Sequence, residues 1–75
     1  MSKTPLDTQV AGGHYKAMKI QPVEYNHANQ LGFCEGSVVK YISRHRSKNG
    51  LEDLKKAHHF IELLMKLEYN HVPGE

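Results

Sequence analysis

A chain of 75 residues forms one domain, which buries only about 60–65% of its unfolded surface and cannot hold a deeply enclosed active site. Its net charge of +2 is too small to indicate binding to duplex nucleic acid, and no segment has the roughly 20 consecutive apolar residues of a membrane helix. The single cysteine, Cys34, excludes an intramolecular disulfide and fits a reducing cytoplasm. A scaffold this small is expected to need a partner subunit.

The N-terminal part of the chain predicts an arm followed by a short helix. Residues 1–13 have no hydrophobic period and end in two glycines, so we expect a flexible arm. A single helical domain follows over 14–70, and 71–75 form a tail. The first helix is predicted to run from Pro22 to about Gln30, because proline suits the first helical turn. Gly32 is the expected left-handed cap.

Two further helices, joined by a tight turn, form a predicted hairpin. The second starts around 34–37 and runs to about Ser47, and Asn49-Gly50 interrupts the chain. The third extends from Leu51 to about Asn70. Its predicted inward stripe comprises Leu51, Leu54, Ala57, His58, Ile61, Leu64, Met65 and Glu68. Phe60 and Leu67 lie off this stripe and broaden the apolar surface, which favours a homo-oligomer. The sequence therefore predicts a small all-α domain of three helices.

The hairpin carries a basic cluster that fits phosphate. Lys40 and Arg44 are spaced i, i+4, so a helix places both on one face, and Lys48 follows in the turn. Lysine supplies a point charge, whereas arginine supplies a bidentate fork. We expect Arg44 to be exposed, so that Arg44→Ala would lose binding with the fold intact. The alternative is an ordinary solvated face.

Aromatic and acidic residues surround this cluster in the sequence. His14, Tyr15 and Tyr41 have rings that can stack on a base, although tyrosine also commonly closes a small core. Asp53 could orient the cations, bind a metal or act as a base, and orienting is the role that we favour.

The motifs of metal and kinase chemistry are missing from the sequence. Adjacent His58 and His59 point about 100° apart on a helix and chelate poorly, and neither Cys-x-x-Cys nor His-Glu-x-x-His occurs. We therefore expect no metal site. No glycine-rich phosphate loop of the Gly-x-x-x-x-Gly-Lys-Ser/Thr type is present either.

The chain resembles a family of small tailed-phage proteins that are described as nucleotide kinase-like, over His14 to about Leu64. The matching elements are His14-Tyr15-Lys16, Ile20-Gln21-Pro22, Gly36-Ser37-Val38-Val39-Lys40-Tyr41, Arg44, Lys48-Asn49-Gly50 and Glu52-Asp53-Leu54-Lys55-Lys56-Ala57. The resemblance implies nucleotide handling in the cytoplasm of an infected host cell. It also implies site roles for Lys56 and for Ser37, where the family more usually has asparagine.

The function that we expect is binding of a phosphate-bearing nucleotide, of the cyclic or ADP-ribose type, to sequester a signal of host immunity. Lys40, Arg44 and Lys48 would hold phosphates. His14, Tyr15 and Tyr41 would contact base or ribose, and the orienting residues are Asp53, Lys56 and Ser37. One alternative is a nucleoside monophosphate kinase-like enzyme, which would need Mg²⁺; no cofactor is expected otherwise. Another is a protein-binding inhibitor of a host factor.

Overall fold

The computed structural model describes residues 4–7, 15 and 17–74, and within these ranges it contains three α-helices and no strand. Helix α1 spans Pro22–Ala28, α2 spans Phe33–Arg44 and α3 spans Leu51–Tyr69. Short 3-10 turns form at Pro5–Asp7 and His45–Ser47. The predicted all-α class is therefore confirmed. Most of the predicted arm, together with His14, lies outside the described residues.

The connection between α1 and α2 corrects one prediction. Gly32 is not in the left-handed region, since its φ is −75°; Gln30 is, with a φ of 56°. The backbone N–H of Leu31 donates to the Asn26 carbonyl at 2.9 Å, which closes the end of α1. Gly32 instead begins α2, where its N–H donates to the Glu35 carboxylate at 2.9 Å.

Helices α2 and α3 form an antiparallel hairpin, and α1 packs against α2 but not against α3. The turn between α2 and α3 ends at Gly50, whose φ of 54° suits glycine. Its N–H donates to the His45 carbonyl at 2.8 Å. The hairpin thus brings the end of α2 beside the start of α3.

The inward face of α3 differs from the predicted stripe. Within the described residues Ala57 is the only buried hydrophobic residue, and the other buried position on α3 is Asp53. Leu51, Leu54 and Ile61, predicted to point inward, are exposed. Consecutive residues of a helix are rotated by about 100° around its axis. The observed inward stripe is displaced by one position from the predicted one, and this displacement turns these three residues outward.

Apolar side chains also remain on the outside of the domain. Ten large hydrophobic residues are exposed: Ile20, Val23, Tyr25, Phe33, Ile42, Leu51, Leu54, Ile61, Leu67 and Tyr69. A shallow groove of about 420 Å³ lies among five apolar side chains, Ile20, Tyr25, Val38, Val39 and Ile42, together with Pro22 and Ser43. The hairpin is therefore held by polar as well as apolar contacts.

Candidate nucleotide site

A buried ion pair joins the end of α2 to the start of α3. Arg44 Nη2 lies 3.0 Å from Asp53 Oδ1, and Arg44 Nε donates to Asp53 Oδ2 at 3.2 Å. Arg44 is 7% exposed and Asp53 is 0% exposed. The expectation that Arg44 is exposed is therefore wrong. The physical reason is that α3 places a carboxylate against the guanidinium, and the two charges neutralise each other away from water.

Two further groups complete this pair. The backbone N–H of Asn49 donates to Asp53 Oδ2 at 3.2 Å, and Arg44 Nη1 donates to the Tyr15 hydroxyl oxygen at 3.1 Å. We call these four residues the clamp. It ties Tyr15 and the interhelical turn to the hairpin.

The clamp determines the charge of Asp53. Hydrogen bonds from the Arg44 guanidinium hold the pKa of the Asp53 carboxyl below its ordinary value, against the opposing effect of burial. The hydrogen bond to Asp53 in turn raises the pKa of Arg44. Asp53 is therefore an ionised carboxylate with both oxygens engaged. This is the geometry that the orienting role requires, and it makes Asp53 a poor proton acceptor.

Cations from α2 and α3 surround the ring of Tyr41. The Lys40 and Lys56 ammonium nitrogens each lie 5.4 Å from the ring centroid, and Arg44 Cζ lies 4.6 Å from it. The Tyr41 ring also stacks on Phe60, with centroids 5.9 Å apart and an interplanar angle of 12°. We call Lys40, Tyr41, Arg44 and Lys56 the Tyr41 cluster.

The two lysines of the Tyr41 cluster carry uncompensated charge. Over the described ranges the ion pairs are Arg44–Asp53 and His58–Glu62, so neither Lys40 nor Lys56 has a carboxylate partner there. Lys40 is exposed and Lys56 is half-buried. Two cations held near one aromatic ring can accept an anion between them.

A cavity of about 740 Å³ lies between α1 and α2, and Lys40 connects it to the Tyr41 cluster. Three of the predicted site residues line it: Tyr15, Ser37 and Lys40. The remaining lining residues are Gln21, Pro22, Val23, Asn26, His27, Gln30, Leu31, Gly32, Phe33 and Gly36. A cavity of this size suits a small ligand.

The other predicted residues that the structure describes do not line the cavity. Tyr41, Arg44, Asp53 and Lys56 belong to the clamp or the Tyr41 cluster. Lys48 is exposed in the interhelical turn and is not among the cations over the Tyr41 ring. The structure thus divides the predicted site between a cation-rich end and a cavity, with Lys40 at their junction.

Three residues near these sites were not predicted as part of them. Phe33 and Asn26 line the cavity, and Phe60 supports Tyr41. A signal for Phe33 was present in the sequence, because Phe33, Gly36 and Lys40 share the helical spacing i, i+3, i+7. Asn26 gave no such signal, since its contact partner lies on another helix.

The described part of the chain contains neither a cluster of metal-binding side chains nor a membrane-spanning helix. No group of three or more His, Cys, Asp or Glu side chains is placed there to hold a metal ion. None of its helices is long and apolar enough to cross a membrane.

The fold and site together define a small all-α protein whose helical hairpin is joined by a buried arginine–aspartate pair. The chain belongs to the family described as protein of unknown function (DUF3310), whose model matches residues 8–62, well over half of the chain. Comparisons with curated proteins and with solved structures found no significant match. The matched segment contains the whole clamp and the whole Tyr41 cluster.

Proposed function

We propose that this protein binds a phosphate-bearing nucleotide and acts as a sponge, holding the ligand without altering it. In the cytoplasm of an infected cell the ligand would be a signalling nucleotide of host immunity, of the cyclic or ADP-ribose type. One observation carries the proposal: Lys40 and Lys56, both without an ion-pair partner within the described ranges, converge on the ring of Tyr41.

The arrangement around Tyr41 supports phosphate binding for a physical reason. Two like charges near one another repel, and an anion between them relieves that repulsion. The lysines come from two different helices, and the clamp fixes those helices relative to each other. The site is therefore set before the ligand arrives, which lowers the entropy cost of binding.

The state of Asp53 supports binding rather than transfer chemistry. A kinase base must accept a proton from the attacking hydroxyl, which requires an accessible oxygen. Both Asp53 oxygens already accept hydrogen bonds, and Asp53 is 0% exposed. A sequestering protein needs only contacts to phosphate and base, and this site offers both.

The exposed apolar surface supports a homo-oligomer, with a second copy of the chain as the occupant of that surface. Ala57 is the only hydrophobic residue that the described part of the domain fully buries, whereas ten large ones are exposed. A domain with so little core needs further burial in order to fold, and a second copy is present whenever the chain is made. Light scattering should give the mass of a dimer or larger, and Ile42→Asp should reduce it.

The proposed function is tested by incubating the purified protein with a panel of cyclic and linear nucleotides and then heating it. We expect one nucleotide to disappear from solution and to return chemically unchanged after heat denaturation. A ligand that returns phosphorylated or cleaved would show that the protein is an enzyme, kinase-like or of another activity, and not a sponge. If no nucleotide is retained, the proposal is wrong and the protein-binding alternative takes its place.

A further inference from the structure

We infer that the cavity between α1 and α2 receives a purine base, stacked on Phe33, while the phosphates of the same nucleotide lie at Lys40. This inference rests on the proposed function and adds the class of base to it. Three observations carry it: the composition of one face of α2, the contact that supports the Phe33 ring, and an acceptor on Asn26 that has no donor among the described residues.

One face of α2 presents the groups that a nucleotide contacts along its length. Phe33, Gly36, Ser37 and Lys40 follow the spacing i, i+3, i+4, i+7, and all four line the cavity. The first and last of them are separated by two helical turns, about 10.5 Å along the axis. A single nucleotide can therefore contact the ring of Phe33 at one end and the ammonium of Lys40 at the other.

The ring of Phe33 is exposed but supported. It is 79% exposed, and its centroid lies 5.7 Å from that of Phe60 at an interplanar angle of 71°. Phe60 in turn stacks on Tyr41. A ring held by this edge-to-face contact offers a face to a base at low entropy cost, and stacking on an aromatic side chain is a contact available to every base.

Asn26 supplies a second observation that points to a ligand. Among the residues that the structure describes, none donates a hydrogen bond to its buried Oδ1, while its Nδ2 donates to the Gly36 carbonyl at 3.1 Å. A buried acceptor without a donor destabilises the fold, and a ligand that supplies a donor would remove this cost. An exocyclic amino group of a base in the cavity that Asn26 lines is a donor of the kind that Oδ1 lacks.

The larger stacking area of a purine favours it over a pyrimidine, and the Asn26 acceptor favours a base with an amino group. A purine covers more of the Phe33 ring, and adenine and guanine both carry an amino group that can donate to Asn26. Uracil lacks an amino group and stacks over a smaller area. The cavity volume of about 740 Å³ admits the larger base.

The experiment compares three probes that share a diphosphate: adenosine diphosphate, uridine diphosphate and inorganic pyrophosphate. Calorimetric titration of the wild-type chain should show the adenosine compound binding at least about tenfold more tightly than inorganic pyrophosphate, since stacking of one base changes affinity about 5- to 150-fold. It should also bind more tightly than the uridine compound, whose smaller base lacks the amino group. Phe33→Leu should remove this advantage and leave pyrophosphate binding unchanged. Tyr69→Leu, at an equally exposed aromatic residue outside the cavity lining, should change nothing.

The outcomes separate this inference from the function on which it rests. Equal affinity for the two nucleotides, or a Phe33→Leu variant that keeps the adenosine preference, would overturn the purine pocket while nucleotide binding stands. If none of the three probes binds, the inference is overturned, whereas the proposed function fails only if the panel of cyclic and linear nucleotides is not retained either. Melting curves of Phe33→Leu provide the folding control, and we expect them to match wild type because the ring is largely exposed.

Discussion

The two ends of helix α2 are held in different ways. At its C-terminal end the clamp connects α2 to α3 through a bidentate ion pair with 0–7% exposure. At its N-terminal end α1 is attached through the Asn26–Gly36 hydrogen bond and the burial of Pro22. The difference would suit the nucleotide site that we propose, because phosphates gain from fixed charges whereas a base pocket can adapt its width.

The clamp should dominate the stability of the domain. Arg44→Ala leaves the Asp53 carboxylate buried without its partner, so we expect the melting temperature to fall by more than about 10 °C. Circular dichroism during heating measures this, with Arg46→Ala, at a neighbouring exposed arginine, as the matched control. If Arg44→Ala melts like Arg46→Ala and only binding is lost, Arg44 is a direct ligand, as the sequence alone suggested.

Acid should weaken the clamp next. The folded-state pKa of Asp53 lies below its ordinary value of 3.8, so its ionised form stabilises the fold above that pH. This contribution is lost as the pH falls below 3.8 and through the lower folded-state pKa. Asp53→Asn cannot titrate, so the gap in melting temperature between wild type and this variant should be largest near neutral pH and should shrink in acid. A gap that is independent of pH would show that the charge of Asp53 is not what stabilises the hairpin.

A substitution at the end of α2 that packs against α1 should have a smaller and more local effect on stability. A Cβ at position 36 would lie 2.9 Å from Asn26 Nδ2, so Gly36→Ala displaces the Asn26 amide and disturbs its hydrogen bond to the Gly36 carbonyl. We expect a loss of about 1–3 kcal/mol, typical of overpacking. Hydrogen exchange should then speed up in α1 while the clamp end of α3 keeps its protection. If hydrogen exchange speeds up equally in α1, α2 and α3, the two ends of α2 unfold as one unit and are not held independently.

The sequence predicted the helices better than their faces. Pro22 and Leu51 begin α1 and α3 as expected, because both starts follow from local chemistry. The inward face of α3 was predicted only in part: Ala57 is buried as expected, but Asp53 was missed, since hydrophobic periodicity does not count an aspartate as a core residue. The burial of Arg44 depends on a partner nine positions away on another helix, and the spacing of Lys40 and Arg44 on α2 contains no information about that partner.

The candidate site was predictable only in part for a related reason. Lys40 and Tyr41 could be proposed from their chemistry and adjacency, and the resemblance added Lys56. Their convergence on one ring required the docking of α2 against α3. The cavity required α1 as well, so Asn26 had no signal in the sequence.

The most direct measurement of the central claim is a calorimetric titration with adenosine diphosphate of wild type, Lys56→Ala and Lys55→Ala at physiological salt. Lys55 and Lys56 are adjacent and equal in charge, but only Lys56 lies over the Tyr41 ring. We predict that Lys56→Ala weakens binding by about tenfold or more, the effect of losing one contact to a charged group, and that Lys55→Ala stays within about twofold of wild type. Equal losses in the two variants, or no binding by wild type, would contradict the assignment of the Tyr41 cluster as the phosphate site.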